Sequence, residues 1–325
     1  MRALKLTLIC LPVFVAALAS AASPPAADPA VAETLKKAFD LLDQSRFGEA
    51  AKSFQQADEQ AGGSCGPCLL GLSRAYVGLR KPAKAADAAR KAVDLLQTPE
   101  LLGQAWNQLG FALMSHSKPD LAGAEEAFRK AVEAAAGGQV ASIANVARYN
   151  LADVLWRQRK YAESERAARE ALVAEPTGPA SLNARIVLCQ ARTDGAPVAP
   201  PEVVYEDASC PKEGLRIFEK KAQATSVESE VVRPEKLFGR PPVYNEGARM
   251  SNIHGTVVVE AVIDEEGCIQ NPRVCKSVHP SLDLATLDAV RRWVFRPAEL
   301  DGKPVKVYYT LTVSFTMGNS RSGPG

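Results

Sequence analysis

The chain has 325 residues, 46% apolar and 23% charged, enough for two globular domains. Its net charge of +2 lacks the bias expected of a nucleic-acid binder or of a protein built for a strongly acidic substrate. Its histidines, His116, His254 and His279, are few for a metal enzyme.

The N-terminus reads as an export signal. Arg2 and Lys5 form a basic start, Leu6 to Ala17 an apolar core, and small residues follow at 17–22. The apolar run is short for a membrane span of about 20 residues. Cleavage near residue 22 would give a periplasmic protein; the alternative is a single uncleaved anchor in the inner membrane, facing the periplasm. Cys10 lies within the apolar core. The other cysteines, Cys65, Cys68, Cys189, Cys210, Cys268 and Cys275, are even in number, which suggests disulfides in an oxidising compartment.

Residues 31–176 repeat with a period near 34. The stretches FGEAAKSFQQA, PAKAADAARKA, LAGAEEAFRKA and YAESERAAREA align. Each carries a triplet on one helical face: Ala50/Phe54/Ala57, Ala85/Ala89/Ala92, Ala124/Phe128/Ala131 and Ser164/Ala168/Ala171. Small residues at such positions let a neighbouring helix approach closely. A helix precedes each stretch, and Leu109-Gly110 and Leu151-Ala152 sit where large and small residues pack between helices. The third unit has extra residues at its turn. Period and pattern resemble the tetratricopeptide repeat, with Trp106, Leu109, Gly110 and Pro176 the most specific matches. Residues 180–193 are expected to form the polar-sided capping helix of a solenoid.

The dithiol motif Cys65-Gly66-Pro67-Cys68 precedes the first helix of the second repeat. A helix N-terminus lowers a thiol pKa, but the strand and βαβ pattern of a thioredoxin-type site are missing. A structural disulfide, a plain turn and redox exchange all stay open. Leu69 stands where haem attachment requires His. No second pair is spaced for zinc, and no cofactor is expected. Cys189 and Cys210 flank the start of the Pro- and acid-rich segment 194–235, which reads as a linker, and are expected to staple it to the capping helix.

From residue 236 the pattern changes. Tyr244 to Met250 suggests a short helix. In residues 254–264 Val257, Val259, Ala261 and Ile263 alternate on one face of a strand, ending in a Glu265-Glu266-Gly267 turn. A second strand is interrupted at Asn271-Pro272, where a bulge or an edge is expected because Pro cannot donate to a ladder. A helix follows with Ser281 as its N-cap. Leu282, Ala285, Ala289 and Trp293 share a face, and Pro297 ends it. Asp301-Gly302 is a turn, and residues 305–315 alternate as a closing strand. Trp293 is the expected plug between helix and sheet.

Tyr244, Gly255, Asp264, Gly267, Arg291-Arg292-Trp293, Phe295, Pro297 and the closing strand, in that order, resemble the TonB C-terminal domain over about 80 residues. Asn245 departs from the Pro usual after the Tyr. The resemblance implies a Gram-negative envelope protein whose module adds a partner peptide as a strand, such as the short box of an outer-membrane transporter. It places Val305, Val307, Tyr309 and Leu311 of the last strand near that peptide, mainly through backbone groups, with Gly255, Gly267, Trp293 and Pro297 structural. A complete transducer also needs an anchor face with His and a long Pro-rich spacer, and repeats stand where that spacer would be.

The expected architecture is α+β and multidomain. It comprises a signal peptide (1–22), helical repeats with a capping helix (31–193), a linker (194–235), a three-stranded antiparallel sheet packed on a helix (236–317) and a disordered tail (318–325). The expected function is a non-enzymatic envelope adaptor with protein or peptide partners, an outer-membrane transporter or envelope complex among them, and with no nucleic acid or small-molecule substrate. Two alternatives are a membrane-anchored TonB-type energy transducer and thiol–disulfide exchange through Cys65 and Cys68.

Overall fold

The computed structural model describes residues 28–136, 141–177, 179–195, 216–217 and 231–316. The expected signal segment, most of the linker with Cys210, and the tail lie outside them. The chain divides into two compact units: residues up to Gln158 with Glu170–Ser181, and Arg159–Arg169 with Leu182 onward.

The first unit is helical. In chain order the helices are α1 (Pro29–Asp43), α2 (Phe47–Gln60), α3 (Gly66–Gly78), α4 (Pro82–Leu95), α5 (Pro99–Met114), α6 (Leu121–Ala136) and α7 (Ala141–Arg157). Then come α8 (Tyr161–Ala174) and α9 (Pro179–Gly195), most of each belonging to the second unit. Proline opens the first turn of α1, α3, α4 and α5, where its fixed φ suits the helix and its missing N–H had no helical acceptor. The turn inside a repeat is itself repeated: Ser45, Arg80 and Arg159 take left-handed conformations at φ 60°, 55° and 63°. The following amides of Arg46 and Lys81 donate back to Leu41 and Tyr76 carbonyls, closing α1 and α3. The third repeat, with its longer turn, has no such residue.

Consecutive helices pack from α1 to α7, and α1, α3, α5 and α7 also pack in sequence on one another. The expected triplets are the core of this packing: Ala50, Phe54, Ala57, Ala85, Ala89, Ala92, Ala124, Phe128 and Ala131 are fully buried. Phe54 presses on Gly71, where an added Cβ would lie 2.3 Å from its ring, and Phe128 presses on Gly110 in the same way at 2.7 Å. Large on small is thus the unit's packing rule.

In the second unit the elements are β1 (Arg216–Ile217), β2 (Val231–Val232), β3 (Glu235–Phe238), α10 (Glu246–Met250), β4 (Gly255–Ile263) and β5 (Ile269–Lys276). They continue with α11 (Pro280–Val290), β6 (Val294–Arg296), β7 (Ala298–Leu300), β8 (Lys303–Val305) and β9 (Val307–Phe315). The main sheet has the order β1-β9-β4-β5, so a two-residue strand adds to the expected three. Two small ribbons, β2-β7-β8 and β3-β6, complete the unit. Strands β1 and β2 both fall inside the segment read as linker.

Val257, Val259, Ala261 and Ile263 all face the core, together with Leu282, Leu287, Val290, Trp293 and Phe295. The alternation therefore marked the core-facing side of β4, although Glu260 and Val262 on its other side are buried as well. Three expectations for this unit are corrected. The α11 N-cap is His279, whose ring accepts from the Ser281 amide, rather than Ser281. The helix stops at Val290 rather than at Pro297, because Val294–Arg296 must be extended to pair with β3. Pro297 is a buried break between β6 and β7. The strand expected at 305–315 is two: Asp301 and Gly302, both at positive φ, close the β7–β8 hairpin, and at Lys306 the chain leaves that ribbon for the main sheet.

Helix α9 is also not the polar-sided cap expected at 180–193. Its residues Ile186 to Ala191 are buried without interruption, so it is covered all round over more than a turn.

Candidate functional site

Two strand edges of the main sheet could meet another chain. The β5 edge is blunted. Asn271 is at φ 46°, Pro272 cannot donate, and the β4–β5 register slips between the Glu260–Arg273 and Val262–Gln270 pairs. Both a bulge and an edge are present where the sequence pointed to one or the other. The β9 edge differs. It pairs continuously with β4 from Gly255–Phe315 to Ile263–Val307. On its other side, among the described residues, only β1 pairs with it, at Val307 and Tyr308. From Tyr309 to Phe315 no described strand lies there.

Side chains fix this strand from within. Val307, Leu311, Val313 and Phe315 are buried in the core, and Tyr309 packs against it. The Tyr309 ring meets that of Phe295 edge-on at 6.2 Å, and the Phe315 ring meets that of Tyr244 at 5.4 Å. Thr312 and Ser314 are exposed on the opposite face. Of the residues expected near a bound strand, Val307 and Leu311 are core, Tyr309 lies against the core, and Val305 is in β8, outside the main sheet.

The glycines and Trp293 brace this arrangement. Gly255 opens β4 at φ 153°, with Val278 filling the space a side chain would need. Gly267, at φ 85°, leaves its virtual Cβ 1.9 Å from the Phe295 carbonyl oxygen, so only glycine lets the β4–β5 turn lie under β6. Its own carbonyl accepts from the Phe295 amide at 2.9 Å. Trp293 is buried, its Nε1 donates to the Arg240 carbonyl at 2.8 Å, and Lys236 Nζ stands 3.3 Å over its ring. Burial pushes the Lys236 amine below its usual range. Asn245, the departure noted above, caps α10 by accepting from the Ala248 amide at 2.8 Å.

Sequence reading missed a dense polar cluster around Asp264. The Asp264 carboxylate accepts from the amides of Glu266 and Cys268, from Gln270 Nε2 and from Arg192 Nη1. Arg192 of α9 also pairs with Glu266 at 3.0 Å and with Glu165 at 2.9 Å. Arg169 pairs with Glu165 and Glu266, and Arg185 donates to the Glu266 carbonyl. Burial holds the Asp264 carboxyl above the usual carboxylate range despite those donors. Burial acts on Glu266 in the same direction, but Arg192 and Arg169 outweigh it and hold that carboxyl below its usual value. Asp264 was visible only as a turn residue, and nothing in the sequence joins it to an arginine 72 positions earlier.

The disulfides finish the picture. Cys189 of α9 is bonded to Cys268 at the start of β5, not to Cys210 as expected. The sequence placed Cys189 beside a linker, whereas the fold places α9 on the β4–β5 turn. Both sulfurs of this bond belong to buried residues. Cys275 is disulfide-bonded as well. Cys65 and Cys68 are bonded to each other. By loop entropy the bridge spanning 79 positions constrains the unfolded chain by about 4–5 kcal/mol, and the one spanning 3 positions by only about 2 kcal/mol.

The hairpin β4–β5, helix α11, Trp293 and strand β9 all lie within one stretch that a family model matches. Residues 240–317 match the Gram-negative bacterial TonB protein C-terminal family. Within this TonB-like module, Protein TonB of Vibrio cholerae serotype O1 is 34% identical over 77 residues, which are 23% of this chain and 32% of that relative. The chain thus spans about a third of that relative's length. The helical part has TPR-like neighbours among solved structures. A Podosopora anserina protein with nearly identical TPR-like repeats is 14% identical, with 51% of this chain and 86% of that one covered, at a TM-score of 0.44. MamA is 20% identical, with 50% and 84% covered, at a TM-score of 0.40.

Proposed function

We propose that this chain is a cell-envelope interaction protein whose TonB-like module binds a partner segment by adding it as a strand to β9, while the helical repeats hold a second protein. The observation that carries the reading is the asymmetry of the two sheet edges. A strand laid on β9 from Tyr309 to Phe315 would continue a regular ladder, whereas one laid on β5 would meet a bulge and a proline. Buried Leu311, Val313 and Phe315 keep that edge straight and in register. The partner is a protein or peptide in extended form, and an outer-membrane transporter segment is the class that the resemblance to the TonB C-terminal domain implies. The export-type N-terminus supports a periplasmic location.

A second reading is a membrane-anchored transducer of the TonB type. The similarity to Protein TonB of Vibrio cholerae favours it, and it requires that residues 1–22 stay on the mature chain.

A photo-crosslinking residue at Ser314 tests strand addition in intact cells, with the same residue at Arg273 on the β5 edge as its counterpart. Adducts at Ser314, mapping to one extended segment of a partner and missing at Arg273, are expected. Adducts at Arg273 alone would contradict the reading.

A further inference from the structure

We propose that Cys65 and Cys68 are a reversible redox pair that exchanges electrons with a dithiol partner, independently of strand addition. Three features of the first unit separate this pair from the Cys189–Cys268 staple. Cys65 is partly exposed and Cys68 fully buried, so one sulfur can be reached and the other shielded, whereas Cys189 and Cys268 are both buried. The segment before the pair is open: Gly62, Gly63 and Ser64 are exposed, and an added Cβ at either glycine would meet nothing within 4 Å. Finally, the bond closes a loop far smaller than that of Cys189–Cys268 and is the weaker of these two constraints on folding, so opening it leaves the helix in place.

The local frame is built to hold its shape in both states. Cys65 is the N-cap of the 13-residue helix α3, and its sulfur accepts from the Cys68 amide at 3.2 Å. The helix N-terminus favours a thiolate there. The Cys65 amide donates to Asp58 at 3.0 Å, which fixes the backbone before the pair. Gly66 lies against Leu96, whose Cδ2 would be 2.7 Å from an added Cβ, and Pro67 sets the backbone between the cysteines.

The exchange proceeds in two steps. A partner thiolate attacks Cys65 Sγ, the Cys65–Cys68 bond breaks, and Cys68 leaves with the electron pair and is protonated by water. The second partner thiol, deprotonated, then attacks its own partner sulfur in the mixed disulfide and releases Cys65 as a thiolate, which takes a second proton. The chain gains two electrons and two protons, and the partner becomes a disulfide. Each chain carries one such equivalent.

The test equilibrates the full chain across graded ratios of reduced to oxidised dithiothreitol, followed by acid quenching, alkylation and peptide mass mapping. The Cys65–Cys68 pair is expected to open at a ratio at least 100-fold lower than Cys189–Cys268, with helical circular dichroism unchanged. Reaction with oxidised glutathione supplies the second readout. Cys68→Ser should form a mixed disulfide at Cys65 at least tenfold faster than Cys65→Ser does at Cys68. Opening only at the ratio that opens Cys189–Cys268, opening with loss of helix, or equal rates for the two variants would overturn the proposal.

Discussion

Single residues decide where the TonB-like module can bend and where it cannot. Trp293 was legible in the sequence as a buried plug, but its support was not. The ring is held by the Arg240 carbonyl and by Lys236, from a segment whose pairing with β6 no periodicity announces. Trp293→Ala should lower the stability of the second unit by about 3–5 kcal/mol, read as a shift of its thermal transition in the full chain. The Asp264 cluster gives a pH-dependent prediction. Glu266 lies below its unfolded value when folded, so its contribution is present above that unfolded value and is lost as pH falls through the folded one. Asp264 is shifted the opposite way and works against this trend, so the difference between wild type and Glu266→Gln is the quantity to follow. Wild type should be the more stable in chemical denaturation at neutral pH, and the gap should close on the acid side of the ordinary glutamate range. A gap that stays constant with pH would remove the ion-pair account.

Among the elements, helices with repeated small residues were read well, because one periodicity both forms the helix and buries its face. The triplet positions of all four repeats were found from spacing alone, and so was the buried face of β4. Contacts at the ends of elements were not. The α11 cap moved from Ser281 to His279, and the closing strand broke at Lys306, since caps and strand exchanges depend on partners remote in sequence. The fit of glycine under phenylalanine makes the helical packing testable. Gly71→Ala should cost about 1–3 kcal/mol in the helical transition, as a methyl group is forced against the Phe54 ring. A change below a few tenths of a kcal/mol in calorimetry would mean that Phe54 yields freely.

At the scale of the whole molecule, the sequence placed a boundary after the capping helix, and the structure draws it differently. Most of α9 belongs to the sheet-bearing unit, bonded to it through Cys189–Cys268 and paired with it through Arg192. Six cysteines beyond Cys10 admit many pairings, so this bond could not be chosen before the fold brought α9 onto the β4–β5 turn. Within that unit β5 is bulged and carries a proline, whereas among the described residues no strand pairs with the outer side of β9 along Tyr309 to Phe315, and the proposed strand addition rests on that difference. The most direct measurement is amide hydrogen exchange on the full chain, alone and with a synthetic peptide of the partner segment captured at Ser314. The account predicts slowed exchange along Tyr309–Phe315 and no change along β5. Protection on β5 with β9 unaltered would contradict it.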